Sequence, residues 1–322
     1  MHCFLFIPDF FSSRSGAPAD RLAAAETLIA RGRRKRTAPV AHDAWLFERF
    51  GIGRQRDWPV APYTLLADGG APGGHFWMRA DPVHLSVGRD TLALDDARLD
   101  LSRAEAEALV ATLNGHFGQA LALHAPHPER WYVRFEEAPQ LETTPPALAS
   151  GAAIGNLLPR GPDATRHRAL LNEAQMLLHE HPVNAEREAR GAPAANSIWL
   201  WGGGGLEAQC GRPFSFVLAE DPLARGLALA AGVPERRLSA NAAVALSALP
   251  EEGKALLVLD APRGAALERD WFSPLLAALE EGRIGMLTLV LSGGESLLEV
   301  ETARSDLRHF WRTKKPLESY LA

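Results

Sequence analysis

Residues 181–202 hold the densest set of side chains able to do chemistry. His181-Pro182-Val183-Asn184 is followed by Arg187, Gly191, Pro193, Asn196 and the run Ser197-Ile198-Trp199-Leu200-Trp201-Gly202. An imidazole, two carboxamides and a guanidinium can donate or accept at fixed points, and the glycines from Gly202 to Gly205 let backbone N–H groups approach an anion closely. Binding fits this inventory better than bond breaking. The glycines lack the Lys-Ser/Thr of a phosphate loop and the spacing of a dinucleotide fingerprint, and no Gly-x-Ser-x-Gly nucleophile turn occurs. His179 and His181 stand at i and i+2, which do not share a helix face, so they make a poor metal pair. Cys3 and Cys210 are far apart and outside any CxxC spacing, which argues against a disulfide framework or a thiolate zinc site and suits a reducing compartment. Two readings stand: a binding crevice, or core packing by Trp199 and Trp201 with His181, Asn184 and Asn196 satisfying loop backbone.

The elements that must position these residues follow from periodicity. Cys3-Phe4-Leu5-Phe6-Ile7 reads as a buried first strand, too short and lacking the basic flank for a secretory signal. Asp20 is the expected N-cap of a helix carrying Leu22, Ala25, Leu28 and Ile29, which runs out into Arg31-Gly32-Arg33-Arg34-Lys35-Arg36, read as a solvated basic helix end. A hairpin is expected through Val83, Leu85, Val87, Gly88-Arg89-Asp90, Leu92 and Leu94. Ser102 and Glu105 form a capping box for a helix with Ala106, Leu109, Val110 and Leu113 inward, and residues 131–135 read as a strand. A helix capped by Asp163 stops at His181-Pro182, because proline disfavours helix in the residue before it. Beyond the Trp/Gly run, strands near 214–218, 255–259 and 286–291 alternate with helices, which favours a mostly parallel sheet covered on both faces and closed by a hairpin around Ser292-Gly293-Gly294-Glu295-Ser296.

The 34 basic and 39 acidic residues leave a formal charge of −5, so no global field recruits nucleic acid or an anionic membrane, and neither is expected as a partner. No stretch approaches the length of a membrane span. A cytoplasmic location is expected.

The run from His181 to Gly202 resembles a signature of archaeal-type cofactor-independent phosphoglycerate mutases, in the alkaline phosphatase superfamily, where His-Pro-Val-Asn, Arg, Gly, Pro-Ala-Asn and Trp-Leu-Trp-Gly follow in this order. The resemblance extends back through Leu158-Pro159, Thr143-Thr144-Pro145-Pro146, Arg130, residues 100–107 and Arg79, covering about 75–205. The Trp-Leu-Trp-Gly block is its specific part. The whole chain is also similar to a proteobacterial group named "regulatory protein, RpfE type". The resemblance implies an α/β fold with an alkaline-phosphatase-like, mostly parallel sheet over 1–74 and 183–322, interrupted by an inserted α+β domain over 75–182. It further implies two divalent metals held by Asp and His, and a serine nucleophile. Here the chain departs. After His181 the sole histidine is His309; the strand end that carries an Asp-His pair in the family reads Ser292-Gly293-Gly294; and the counterpart of the nucleophilic Gly-Ser-Asp is Ala41-His42-Asp43. Asp9 and Asp260 occupy strand-end positions, but two carboxylates do not make a dinuclear site.

The expectation is a catalytically degenerate relative, with no catalytic residue, metal or cofactor, that serves a regulatory role by binding a small phosphorylated or carboxylated metabolite or a protein partner. Arg79, Arg130 and Arg187 would bind the anion, with His181, Asn184 and Asn196 orienting it and Trp199, Trp201 and Gly202 walling the site. The competing readings are a surviving metal-dependent mutase or phosphatase, an enzyme of metal-free chemistry, and a pure interaction module built on the tryptophans.

Overall fold

The structure, a computed structural model, describes residues 1–11, 21–87, 92–95, 98–260, 264–293 and 296–320. The expected N-cap Asp20 and the turns at Gly88-Arg89-Asp90 and Gly294-Glu295 lie outside them. The chain divides into two compact units, 1–52 with 209–322, and 53–208. These borders differ from the expected 74/75 and 182/183. The strand carrying Trp199 and Trp201 joins the second unit, because it pairs antiparallel with Phe76–Val83 instead of entering the parallel sheet.

The strands are β1 His2–Ile7, β2 Arg33–Thr37, β3 Phe76–Val83, β4 Leu85–Val87, β5 Leu92–Leu94, β6 Ala122–His127, β7 Arg130–Phe135, β8 Ser197–Gly205, β9 Phe216–Ala219, β10 Glu235–Arg236, β11 Lys254–Val258, β12 Met286–Gly293 and β13 Ser296–Ala303. In the first unit seven of them run in the order β10-β9-β11-β1-β12-β13-β2. The pairings from β10 to β12 are parallel, and β13 and β2 add antiparallel. Strand β1 shows why a continuous apolar run is needed at the centre of such a sheet. Cys3, Leu5 and Ile7 face one cluster with Leu28, Ile29, Phe272 and Leu275. Phe4 packs edge-on against Phe214, and Phe6 meets Trp45 and the His42 ring on the other face. Burial in that first cluster pushes the Cys3 thiol up to about 12, which makes it inert.

The basic run from Arg31 to Arg36 was expected as a solvated helix end, yet its residues 33–36 form, with Thr37, β2, the outer strand of the sheet, exposed along its basic residues. The helix Ala23–Arg31 does stop where expected. Gly32 makes the sharp join: a Cβ there would lie 2.4 Å from Thr302 Oγ1 and 2.8 Å from the Glu301 carbonyl of β13. A propensity reading has no way to see this close approach.

The second unit is an antiparallel sheet, β6-β7-β3-β8, with a separate β4-β5 hairpin. The helices Arg103–Phe117 and Ala164–His179 bury Leu109, Leu113, Leu171 and Leu178 against it with Trp131 and Ile198. The Ser102 hydroxyl accepts from the Glu105 N–H at 3.2 Å, and the Glu105 carboxylate accepts from the Ser102 N–H at 2.7 Å, the capping box expected from the sequence. Among the described residues, no helix is long and apolar enough to cross a membrane.

Candidate functional site

In an open α/β sheet, ligands collect at the carboxyl ends of the parallel strands. In the first unit each of three such ends is followed by an aspartate: Asp9 after β1, Asp221 after β9 and Asp260 after β11. Asp9 adopts φ +52°, and its N–H points to Ser292 Oγ, 3.3 Å away at the end of β12. Asp221 caps the helix Pro222–Ala230, accepting from the Leu223 and Ala224 N–H groups at 3.3 and 2.9 Å. His42 opens the helix His42–Arg49 beside it. Its Nδ1 lies 3.0 Å from Asp43 Oδ1 and its Nε2 3.3 Å from Asp221 Oδ2, the latter at ion-pair distance but poorly aligned as a hydrogen bond.

The electrostatics follow from that geometry. Burial alone would lower the His42 pKa, but the Asp221 and Asp43 carboxylates outweigh it and hold it well above the ordinary 6.5. Burial would raise Asp221; the imidazolium and the two helix N–H groups overcome it, and its pKa falls. Asp260 goes the other way, raised by desolvation and by the like charges of Asp221 and Glu220. The result is one imidazolium clamped between two carboxylates, with further carboxylates at the same edge.

This set does not fit a two-metal centre. A metal-ligating imidazole must be neutral, whereas the Asp221 and Asp43 carboxylates favour the protonated His42 ring. Among the described residues no group of three or more His, Cys, Asp or Glu side chains is arranged to hold an ion. When protonated, His42 supplies positive charge to the neighbouring carboxylates. Sequence reading singled out Asp9, Asp260 and Ala41-His42-Asp43 but missed Asp221. The signal was present as an apolar strand followed by Glu220-Asp221-Pro222, the same strand-then-aspartate pattern.

The residues expected to bind an anion lie in the second unit, in two groups. Arg79, Arg130 and Trp201 meet on the face shared by β3, β7 and β8, with Tyr132, Asp68 and Asp81, which sequence reading missed. The Arg79 guanidinium bonds Asp81 Oδ1 through Nε at 2.9 Å and Nη2 at 2.6 Å, and lies over the Tyr132 and Trp201 rings. The Trp201 indole N–H donates to Asp81 Oδ2 at 2.7 Å. The Arg130 guanidinium holds Asp68 through Nε at 2.8 Å and through Nη2, and the Tyr132 hydroxyl donates to Asp68 at 2.6 Å. Each arginine is thus neutralised by its own aspartate.

His181, Asn184, Arg187 and Asn196 form the second group. His181 is the N-cap of a further helix, Pro182–Ala189, where a loop was expected. The proline that ends one helix is pre-set for the first turn of the next. The His181 Nδ1 accepts from the Val183 N–H at 3.2 Å, and burial keeps the ring's pKa low, as an acceptor requires. Asn184 ties the Leu178 carbonyl to both polar groups of Ala195, and Asn196 pairs with both polar groups of Leu85. Arg187 is 0% exposed. It donates to the Pro193 carbonyl at 2.9 Å, to Glu105 Oε1 at 3.1 Å and to the Leu99 carbonyl. Desolvation would raise the Glu105 pKa, but the Ser102 N–H and the Arg190 and Arg187 guanidinium groups bring it to about 2. Trp199 sends its indole N–H to the Thr144 carbonyl at 2.7 Å. Gly202 sits at φ +64° with space for a Cβ only 2.9 Å from Val60 Cβ.

Beside this framework lies a cavity of about 440 Å³ lined by Val83, His84, Leu94, Asp95, Arg98 and Glu129 among others. His84 Nδ1 is 2.8 Å from the Ala194 carbonyl, which leaves Nε2 available. Arg98 is exposed and has no carboxylate partner among the described residues.

The sheet and its carboxyl edge define an α/β protein with its polar cluster at the strand ends and a second α+β unit interrupting the first. Residues 73–184 match the family described as 2,3-bisphosphoglycerate-independent phosphoglycerate mutase, and this match lies within the second unit. Over those residues the chain is similar to that family. A probable 2,3-bisphosphoglycerate-independent phosphoglycerate mutase of Geobacter sulfurreducens is 30% identical over 163 residues, 48% of this chain and 41% of that protein. The Methanothrix thermoacetophila mutase is 48% identical over 61 residues, 19% of this chain and 16% of that protein. The chain thus spans less than half the length of these relatives. Among solved structures, the cofactor-independent phosphoglycerate mutase of Thermoplasma acidophilum aligns over 98% of this chain and 94% of its own, with a TM-score of 0.50 and 16% identity. A Pyrococcus horikoshii protein aligns over 94% and 87%, with a TM-score of 0.54 and 13% identity. At these identities the likeness speaks for the fold.

Proposed function

We propose that this chain is a phosphoglycerate-mutase-like protein that has exchanged metal-dependent phosphoryl transfer for ligand binding, in a regulatory role of the kind the RpfE-type group name denotes. The clamped His42 imidazolium carries this reading. Two-metal transfer needs open coordination positions and an activated hydroxyl at the strand ends. Here the counterpart segment supplies His42, with Nδ1 3.0 Å from Asp43 and Nε2 3.3 Å from Asp221. Alkaline-phosphatase-like ancestry for the first unit and action in a bacterial cytoplasm belong to the same reading.

The ligand expected is a small phosphorylated or carboxylated metabolite, with a protein partner as the other candidate. Because Arg79, Arg130 and Arg187 are matched by internal carboxylates and carbonyls, the anion falls to Arg98 and His84 in the neighbouring cavity. The Asn196 bonds to Leu85 and the Asn184 bonds to Ala195 then hold that cavity's rim.

The test is phosphorus NMR of 3-phosphoglycerate incubated with the protein and manganese or zinc, followed by a thermal-shift screen of phosphorylated metabolites. The reading expects no 2-phosphoglycerate, and stabilisation by a ligand that Arg98→Ala abolishes. Metal-dependent turnover would sink it.

A further inference from the structure

The outer edge of the first unit's sheet gathers a charge that the net value of −5 conceals. Segments 31–36 and 304–315 together hold ten basic residues against one acidic residue, Asp306. The structure makes them one surface. The Arg312 Nη1 donates to the Arg31 and Gly32 carbonyls at 2.9 and 3.2 Å, and Arg31 Nη1 donates to the Leu307 carbonyl at 2.8 Å. The Arg34 guanidinium lies 5.3 Å over the Tyr320 ring, whose hydroxyl accepts from the Lys315 N–H at 3.0 Å. On β2, Arg33, Arg34, Lys35 and Arg36 are all exposed, as are Arg304, Arg308, Arg312, Lys314 and Lys315.

Within this field stand the two most exposed aromatic side chains of the described residues, Phe310 at 78% and Trp311 at 66%. They pack edge to face on each other, centroids 5.4 Å apart, and His309 packs on Trp311 at 4.9 Å. Leaving two large adjacent rings in water is unfavourable unless a partner covers them. The acidic neighbours offset only part of the charge. Glu299 and Glu301 lie opposite Lys35 and Arg33 in the β13–β2 register. Glu299 already accepts from the Trp45 indole and from Arg49.

We propose that this edge, β2 together with residues 304–315, docks on an anionic lipid bilayer, with Phe310 and Trp311 entering the headgroup layer. Aromatic rings favour that layer, and flanking arginines and lysines keep their heads among the phosphates while their stems lie on apolar surface. The alternative polyanion, single-stranded nucleic acid, is met by a basic groove with ring faces on which bases stack. Rings packed edge to face on an open strand edge offer apolar bulk instead of such a ladder.

Cosedimentation of the full chain with vesicles tests this, using phosphatidylcholine alone and phosphatidylcholine with about one third phosphatidylglycerol. Binding is expected only to the anionic vesicles and should weaken with salt. Arg34→Glu with Lys35→Glu should weaken it about tenfold or more, since each basic residue near such a surface adds attraction. Phe310→Ser with Trp311→Ser should reduce it at constant charge. Lys314→Glu with Lys315→Glu, at two exposed side chains, provides a second charge variant should the strand variant fail to fold. Absence of binding to anionic vesicles, equal binding to neutral ones, unchanged binding by folded variants, or capture of a single-stranded oligonucleotide while vesicles are ignored would each overturn the proposal.

Discussion

At the scale of single residues, His42 and Arg187 show how a polar group is committed by its neighbours. The His42 pKa is raised in the folded state, so its stabilising contribution is fully present below the unfolded value near 6.5 and is lost as pH rises through the folded value. Asp221, whose pKa is depressed, contributes above the ordinary 3.8 and loses that contribution as pH falls through its folded value. Denaturant unfolding of His42→Asn should therefore show a deficit of about 2 kcal/mol at mildly acidic pH that shrinks as the solution is made alkaline. A deficit independent of pH would mean that the ring acts by packing alone. Arg187, enclosed and bonded to Glu105 and two carbonyls, should cost about 3–5 kcal/mol on change to Ala, because its partners are left buried and unpaired. Arg187→Lys should recover little of this, since an ammonium cannot span the three directions that the guanidinium serves. Both values are read from urea midpoints.

At the scale of elements, legibility depended on whether local pattern or distant contact decided the outcome. The capping box at Ser102 and Glu105, the buried strand at residues 3–7 and the alternation of strands and helices beyond residue 214 were readable, because each is written in its own periodicity. The strand Arg33–Thr37 was not. Four consecutive basic residues carry no apolar alternation, and the strand exists because β13 offers an edge and Gly32 lets the chain turn onto it. The helix Pro182–Ala189 was hidden for a different reason. Pro182 reads as a stop from one side and as a first turn from the other, and only the imidazole cap decides. The residues expected to bind an anion fall into two groups, and the partners of the first, Asp68, Asp81 and Tyr132, were not legible because they come from other parts of the chain. Gly202 makes the element-scale prediction. At φ +64° with Val60 close by, Gly202→Ala should destabilise by about 2 kcal/mol or more, read from thermal unfolding. A neutral outcome would show that the β8 backbone relaxes there.

At the scale of the whole molecule, the proposal is that a chain similar to phosphoglycerate mutases over residues 73–184 carries strand-end charges that neutralise one another. The family match, residues 73–184, falls within the second unit, and Trp199 and Trp201 lie beyond it on β8. The first unit sets His42 beside Asp43 and Asp221 at the carboxyl edge of its parallel strands. The most direct check is nitrogen-15 NMR of the His42 side chain at neutral pH, recorded before and after addition of zinc. The account predicts a doubly protonated ring that titrates well above the ordinary histidine value and is unmoved by the metal; a neutral ring titrating normally, with one nitrogen shifted by zinc, would contradict it.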